Sequence, residues 1–186
     1  MDKQSEDKRL IRQALQGKQA AYRNLYNLYK HSLFLVCLRY AKDRATAQDY
    51  LQEAFINIFK KLHHFDSEKG AFEPWAKRVT INICLMHIRK HSLYAVNLSA
   101  AEEIHAHTAD ALSNLSLQEM LEMIRQLPQG YKTIFNMYVI DGFSHKEIAA
   151  TLEISVNTSK TQLRKARHLL QKKFIANQHV YRSIHG

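Results

Sequence analysis

Apolar residues recur at intervals of three and four positions along most of the chain, which is the spacing of one face of an α-helix. This pattern predicts a short helix from Ser5 to Gln16, ended by Gly17, and a longer one from Lys18 to Tyr40. The inward positions of the longer helix are Ala21, Leu25, Leu28, Leu33, Val36 and Tyr40. Because alternating β-branched runs are few and the chain has only five glycines and two prolines, we expect an all-α fold.

The next predicted helix, from Thr46 to Leu62, carries apolar residues on two faces. Its core stripe consists of Ala47, Tyr50, Leu51, Ala54, Phe55, Ile58 and Leu62. Gln52, Ile56 and Phe59 share a second face. The two large apolar residues there would be exposed unless a neighbouring helix or a partner protein covers them, and spacing alone does not separate these alternatives.

A turn-rich connector from Phe65 to Gly70 precedes a basic helix predicted from Phe72 to His91, with Pro74 in its first turn. Its apolar stripe is Phe72, Trp75, Val79, Ile83 and Met86. Lys77, Arg78, Arg89 and Lys90 mark the polar side, and Asn82 lies beside the stripe. A basic helix with an aromatic residue near its start suits single-stranded DNA, although a single aromatic residue on a helix stripe more often belongs to the core.

Residues 92–116 differ in character from the segments on either side. They contain no lysine or arginine, and their charged residues are Glu102, Glu103 and Asp110. A stretch of this length is too long for an ordinary loop inside one compact domain. We therefore expect two small helical domains, residues 1–91 and 117–186, joined by a flexible acidic linker.

The second domain is predicted to contain a helix-turn-helix. A helix begins near Leu117, and another has Pro128 in its first turn and ends near Ile140 at Asp141-Gly142. Ser144 and Glu147 have the spacing of a capping box at the start of the next helix.

The tight turn is Glu153-Ile154, after which Ser155 can cap the second helix of the motif. Its inward positions are Ser159, Leu163, Ala166 and Leu170, and the residues after Lys173 are expected to be a frayed extension.

The second helix of this motif is strongly basic. Between Ser155 and Lys173 there is no acidic residue, and the cations are Lys160, Arg164, Lys165, Arg167, Lys172 and Lys173. An α-helix fits the major groove of B-DNA. A solvated cationic helix is the alternative, but the capped helix and tight turn before it favour binding in the groove.

Composition narrows the partners and the chemistry. The net charge of +10 and a pI of about 9.6 favour nucleic acid or an anionic membrane surface. The two cysteines, Cys37 and Cys84, lie in apolar helical patterns and are expected to be buried thiols in a reducing compartment. Neither a signal peptide nor a membrane span is evident, which indicates a cytoplasmic protein.

The sequence shows no pattern of catalytic residues, so we expect neither enzymatic activity nor a cofactor. There is no glycine-rich phosphate loop and no pair of nucleophile and base. His87 and His91 could share a helix face and bind zinc, but no carboxylate or cysteine at ligand spacing joins them. We therefore expect no metal site.

Three segments, taken in order, resemble the extracytoplasmic-function (ECF) sigma factors of bacterial RNA polymerase, the group built from regions 2 and 4 alone. AQDYLQEAFINIFKKLHHFD resembles region 2.2, AFEPWAKRVTINICLMHIRK resembles regions 2.3 and 2.4, and LPQGYKTIFNMYVIDGFSHKEIAATLEISVNTSKTQLRKAR resembles region 4. The resemblance covers about Ala20 to His91 and Leu117 to Lys173. It implies a transcription initiation factor that directs core polymerase to specific promoters and aids promoter melting.

The resemblance also implies a role for particular residues. The surface for the clamp helices of the largest polymerase subunit would include Asp49, Gln52, Glu53, Ile56 and Phe59. Contacts to the minus-10 element and its flipped non-template base would come from Ser67, Lys69, Gly70, Trp75, Lys77, Arg78 and Asn82. Contacts to the minus-35 element would come from Thr158, Lys160, Thr161, Arg164, Lys165 and Arg167. The linker would thread through the active-site and RNA-exit channel, and a membrane-anchored anti-sigma factor is a further possible partner.

Two positions depart from the family pattern. Glu153 stands where the family commonly has glycine in the turn, which implies strain or a costly backbone conformation. Ser159 stands where an aliphatic residue commonly packs the recognition helix. We expect this serine to loosen that contact or to bond backward to its own helix.

Two other functions compete with this interpretation. A free-standing helix-turn-helix regulator would bind duplex DNA without polymerase, but it leaves the N-terminal half unexplained. A protein that binds membrane lipid through its basic charge is disfavoured, because the cationic helix keeps a capped partner helix and a core face. Direct insertion into a membrane is not expected.

Overall fold

The computed structural model describes residues 3–95 and 122–185, and their side chains over 3–89 and 122–174. The regular elements in these ranges are all helical, which confirms the predicted fold class. Contacts divide the chain into two units, Met1–Ala106 and His107–Gly186, so the division falls inside the predicted linker. The acidic residues of that linker lie outside the described residues, and the predicted domain limits stay a prediction. No described helix is long and apolar enough to cross a membrane.

The first unit is a bundle organised around its second helix. Its elements are α1 (Lys3–Leu15), α2 (Gln19–Tyr40), α3 (Arg44–Lys60), a 3-10 turn (Leu62–His64) and α4 (Phe72–Ala95). Helix α2 packs against α1, α3 and α4, and α3 packs against α4. Helix α3 begins where the Asp43 side chain accepts a hydrogen bond from the backbone N–H of Thr46 at 2.7 Å.

The core stripe predicted for α3 is confirmed, because each of its seven residues is buried. On α2 the prediction was wrong at Leu28, whose side chain is 49% exposed. The neighbouring Tyr29 is buried instead, and its hydroxyl donates to both carboxylate oxygens of Asp7 on α1 at 2.6 Å. An aromatic residue with a satisfied polar group therefore takes the inward position that the apolar pattern had given to leucine.

The buried line of α4 is also rotated from the predicted stripe. Met86 is 42% exposed, whereas Ala76, Thr80 and Cys84 are fully buried. Thr80 can be buried because its hydroxyl donates to the carbonyl of Ala76 at 2.9 Å. Helix α4 runs to Ala95, past the predicted end at His91 and into the segment predicted as linker.

The two cysteines are buried and free, as predicted. They lie on α2 and α4, which pack against each other in the core of the first unit. A hydrogen bond with the Cys37 thiol, together with burial, raises the pKa of Cys84 far above its usual value. Both side chains therefore fill space in the core of the first unit.

In the second unit, two short helices pack against one long helix. Residues 122–125 are helical, and α5 (Gln129–Phe135) continues as a π-helix (Asn136–Ile140). Helix α6 (His145–Leu152) and helix α7 (Val156–His185) follow, and both α5 and α6 pack against α7.

Two predictions for this unit need correction. Pro128 is the N-cap of α5 rather than a residue of its first turn. The segment after Lys173 is helical to His185 and not frayed. The predicted stop at Asp141-Gly142 is present: the Asp141 N–H donates to the carbonyl of Asn136, and Gly142 has a φ of 74°.

Candidate nucleic-acid interface

Helices α6 and α7 form the predicted helix-turn-helix, and the capping box at its start is confirmed. The Ser144 hydroxyl accepts from the backbone N–H of Glu147 at 3.2 Å. In return, the Glu147 carboxylate accepts from the backbone N–H of Ser144 at 2.8 Å. These bonds satisfy N–H groups that a helix start leaves without partners, so the first helix of the motif has a fixed beginning.

The turn between α6 and α7 uses a left-handed residue, as the departure from glycine implied. Glu153 has φ 57° and ψ 40°, and it alone among the non-glycine residues that the structure describes has a positive φ. The backbone N–H of Ile154 donates to the carbonyl of Ala149 at 3.1 Å, which is a bond of the Schellman motif. A non-glycine residue in this conformation costs about 1–2 kcal/mol.

Helix α7 begins at a serine cap, as predicted. The Ser155 hydroxyl accepts from the backbone N–H of Thr158 at 2.9 Å and bonds its hydroxyl at 2.8 Å. Thr158 is half-buried and takes part in the cap, so a contact from its hydroxyl to DNA would compete with the bond to Ser155.

Helix α7 separates an apolar face from a cationic one. Leu163 and Ala166 are buried as predicted, whereas Leu170 is only half-buried. Exposed on the other side are five of the residues predicted to contact the minus-35 element: Lys160, Thr161, Arg164, Lys165 and Arg167. The predicted separation of faces is confirmed, and the DNA contacts themselves stay a prediction.

Two of these cations also border a concave surface. Arg164 and Lys165 line a cavity of about 460 Å³ together with Tyr131, His168 and Leu169. The cavity therefore brings Tyr131 and Leu169 together with cationic side chains of the recognition helix.

The Ser159 hydroxyl bonds a residue of the neighbouring helix, and not its own helix as one of the two expected alternatives had it. Its side chain is fully buried, and its hydroxyl bonds Nδ1 of His145 on α6 at 2.9 Å. His145 stacks on Tyr138, with ring centroids 4.3 Å apart and planes at 24°. Burial, with the nearby Lys160 and Arg167, lowers the pKa of His145. Sequence reasoning missed His145, because the apolar pattern gives no signal for it.

In the first unit, the connector before α4 is a turn held by carboxylates. The Asp66 side chain accepts from the backbone N–H of Glu68 at 3.0 Å and pairs with Lys69 at 3.4 Å, and these contacts lower the pKa of Asp66. Glu68 pairs with Lys8 of α1 at 2.9 Å. Of the predicted minus-10 residues in this turn, Lys69 and Gly70 are exposed, and Ser67 is half-buried.

The predicted minus-10 residues of α4 fall into different settings. Trp75 is half-buried and packs on Phe65 at 5.3 Å and on Phe72 at 5.6 Å, so packing accounts for part of its surface. Arg78 and Asn82 follow it at helical spacing and are exposed.

Lys77 pairs with Glu73 at 2.9 Å, within α4. Arg78 and Asn82 are exposed beside Trp75, and the Lys77 side chain is itself 42% exposed within this ion pair.

On α3, the second face splits between the two alternatives left open by the sequence. Phe59 is half-buried, with its ring edge-on to Tyr22 of α2 at 5.0 Å, so a neighbouring helix covers part of it. Ile56 is 52% exposed, and Asp49 and Gln52 are exposed around it. The part of this face that remains available to a partner is centred on Ile56.

Glu53, the remaining residue predicted for this face, is bonded to α4. Its carboxylate lies 2.6 Å from Nε2 of His87, and the His87 ring stacks on Tyr50 at 4.7 Å. His87 is therefore engaged with a carboxylate, and the side chain of His91 lies outside the described residues. Among the described residues no cluster of histidine, cysteine or acidic groups could hold a metal ion.

Comparison with known families decides which family these two units represent. Residues 25–94 match the family model for sigma-70 region 2, and residues 117–170 match the model for sigma-70 region 4. The chain belongs to the sigma-70 family. These matches confirm the resemblance inferred from the sequence, and they disfavour a free-standing regulator, which leaves the region 2 match unexplained.

Similar curated proteins are RNA polymerase sigma factors, and several of them are named as ECF factors. The ECF RNA polymerase sigma factor SigW of Bacillus subtilis is 28% identical, over 89% of this chain and 95% of that protein. The RNA polymerase sigma-H factor of Pseudomonas aeruginosa is 26% identical over 91% and 94%. The ECF sigma-E factor of Escherichia coli K12 is 26% identical over 93% and 96%. This chain is accordingly an ECF sigma factor.

Solved structures share the fold. RpoE of Bartonella quintana, solved with the anti-sigma factor NepR, has a TM-score of 0.56 and 20% identity, over 81% of this chain and 94% of that chain. CnrH, solved with the cytosolic domain of CnrY, has a TM-score of 0.50 and 23% identity, over 91% and 97%.

Proposed function

We propose that this ECF sigma factor binds RNA polymerase core, recognises minus-35 and minus-10 elements, and helps to hold the melted promoter strand. The observation that carries the proposal is the occurrence, in one chain, of a region 2 match and a region 4 match whose recognition helix exposes a continuous set of cations.

Contact with the minus-35 element is assigned to α7. Its exposed cations oppose a buried apolar face, so the helix can lie against DNA while staying packed on α5 and α6. Cations that neutralise phosphates release counterions and give salt-dependent affinity, and those that reach base edges give sequence preference. Arg164 and Lys165, which line the cavity beside the helix, are the residues to substitute first.

Contact with the minus-10 element is assigned to the connector turn and α4. The turn is held at Asp66, and Trp75 joins α4 to Phe65 at the start of the connector. Exposed Arg78 and Asn82 lie on the face of α4 that also carries Trp75. Unpaired bases need hydrogen-bonding groups and aromatic or cationic surfaces, and this face offers them.

Binding to the polymerase core is assigned to the exposed part of α3 around Ile56. A half-exposed isoleucine flanked by polar residues can enter an apolar pocket of a partner, and the surrounding polar side chains can form the rim. In this role the chain carries out no bond chemistry itself and acts in the cytoplasm, where the polymerase meets promoter DNA. An anti-sigma factor, membrane-anchored or soluble, is a further candidate partner.

The experiment that tests the proposal is run-off transcription of fragmented genomic DNA by purified core polymerase, with and without this chain. We expect a defined set of start sites that appears only when the chain is added. If the chain binds duplex DNA specifically but core polymerase gains no start sites, the free-standing regulator is the correct function. Vesicle sedimentation, with anionic lipid in the absence of DNA, tests the lipid alternative.

A further inference from the structure

We propose that His145 is a positioning residue of the minus-35 interface, which sets the orientation of α7 through the buried Ser159 and steadies Arg167 through the ring of Tyr138. This inference deepens the proposed function and rests on it. It assigns to α6, which carries none of the predicted minus-35 residues, a part in DNA recognition.

A side-chain hydrogen bond joins the two helices of the helix-turn-helix. His145 is the first residue of α6, and Ser159 lies in the first turn of α7, fourteen residues later. Because the Ser159 hydroxyl is fully buried, losing its partner would leave an unsatisfied polar group in the core, which is unfavourable. A hydrogen bond also depends on direction, so it restricts how α7 can rotate or slide against α6.

The same imidazole also contacts the ring of Tyr138, which lies against the cationic face of α7. The stacked Tyr138 ring belongs to the π-helix, and the Arg167 guanidinium lies 6.0 Å from the centre of that ring. An arginine within about 6 Å of an aromatic face is attracted to it. One histidine therefore supports the inner side of α7 at Ser159 and, through Tyr138, the predicted minus-35 contact Arg167 on its outer side.

The charge of the imidazole suits this role. The groups from other elements that face it are Tyr138, Ser159, Lys160 and Arg167. Burial and the two cations favour the neutral ring, which does not repel Arg167. An unprotonated Nδ1 of the neutral ring can accept a hydrogen bond from the Ser159 hydroxyl.

The test uses holoenzyme assembled from core polymerase and full-length chain. Its probe is a promoter fragment recovered from the genomic run-off, and the matched fragment has a scrambled minus-35 window. We expect His145→Leu to weaken binding to the native fragment about tenfold, equivalent to about 1.4 kcal/mol, with a much smaller change on the scrambled one. His145→Asn should recover only part of that loss, because its amide can occupy the position of Nδ1 but has no ring to stack on Tyr138. His145→Gln is the matched control, since its longer side chain carries the amide past that position.

A double variant separates positioning from general damage. In His145→Leu with Ser159→Val, an apolar pair replaces the polar one, and we expect the double variant to recover part of the affinity lost by His145→Leu. Thermal unfolding of each chain accompanies the binding curves. The inference is overturned if His145→Leu binds as wild type does, or if His145→Asn loses as much affinity as His145→Leu.

Failure of this inference is distinguishable from failure of the proposed function. If wild-type holoenzyme does not discriminate between the native and scrambled fragments, the assignment of the minus-35 interface is wrong, and with it the inference. If the wild type discriminates and the His145 variants discriminate equally, only the role of His145 is wrong.

Discussion

Replacing Ile56 by alanine tests the assignment of α3 to polymerase binding with little risk to the fold. The side chain is 52% exposed, and it is the part of the second apolar face that no neighbouring aromatic ring of the described structure covers. Phe59 is a poorer choice, because its ring packs on Tyr22 and its removal would also disturb the contact between α2 and α3.

The expected magnitude follows from the exposed half of the isoleucine. Burial of a whole isoleucine side chain contributes about 1.5–3 kcal/mol, so covering the exposed half would contribute about 1 kcal/mol to binding. Losing 1 kcal/mol weakens an equilibrium about fivefold. The unfolding free energy should change by much less than for a core substitution, because the atoms removed are largely those in contact with water.

The assay is a titration of purified core polymerase with labelled full-length chain, together with denaturant unfolding of the same proteins. Leu28→Ala is the matched control, because Leu28 is 49% exposed on α2 and is not part of the predicted clamp-binding face. We expect about a fivefold weaker Kd for Ile56→Ala and an unchanged Kd for Leu28→Ala.

Two results would refute the reasoning. If Ile56→Ala binds core polymerase with wild-type affinity, the exposed part of α3 is not the interface. If Leu28→Ala weakens binding as much as Ile56→Ala does, the loss reflects exposed apolar area in general and not this face.

Three further predictions address the DNA interface and the helix ends. If the side chain reaches a base, Arg164→Ala or Lys165→Ala should weaken promoter binding by about 1–3 kcal/mol and relax the sequence preference. If it reaches only phosphate, the substitution should reduce the slope of log affinity against log salt concentration by about one. Titrations at several salt concentrations against native and scrambled minus-35 fragments distinguish these two outcomes. Glu153→Gly should raise the unfolding free energy of the second unit by about 1 kcal/mol, since glycine adopts the left-handed conformation without the steric cost, and a fall in the urea midpoint would contradict this. The hydrogen bond from the Thr46 N–H lowers the pKa of Asp43 in the folded protein. The stability that ionised Asp43 contributes is therefore present above its ordinary pKa and is lost as the pH falls through the lower folded value. Asp43→Asn keeps the cap but should remove this part of the acid sensitivity in unfolding curves below about pH 4.

The fold was predictable from the sequence where apolar spacing and helix caps agree. Three predictions of this kind are confirmed: the stripe of α3, the capping box at Ser144 and the serine cap of α7. Each depends on residues that follow one another at intervals of about one helical turn or less. Local patterns of this kind report directly on local structure.

Two errors in the predicted burial occurred where a hydrogen bond decided it. Thr80 was left out of the α4 stripe because it is polar, yet its bond to the Ala76 carbonyl allows full burial. Leu28 was placed inward because it is apolar, yet Tyr29 with its bond to Asp7 holds that position. An apolar pattern treats polar atoms as a signal of exposure, and these residues show that a satisfied polar atom is not one.

The candidate interface was predictable as sets of residue types, and not as an arrangement in space. Spacing identified the cationic face of α7 and the apolar residues of α3. It could not show that Tyr22 covers Phe59, because the two residues belong to different helices whose packing is set by the whole bundle. The sequence therefore named candidates for each interface, and the packing of the helices decided which of them are available to a partner.

The two histidines that each join a pair of helices illustrate why side-chain bonds between elements were missed. His87 bonds Glu53 across 34 residues, from α4 to α3, and His145 bonds Ser159 across 14 residues, from α6 to α7. Each ring also stacks on a tyrosine, so the imidazole is held on two sides. In each case at least one of the joined helices carries a predicted contact surface, and the orientation of that helix determines which side chains the surface presents. A histidine that hydrogen-bonds such a helix to its neighbour can therefore influence recognition without contacting DNA or polymerase.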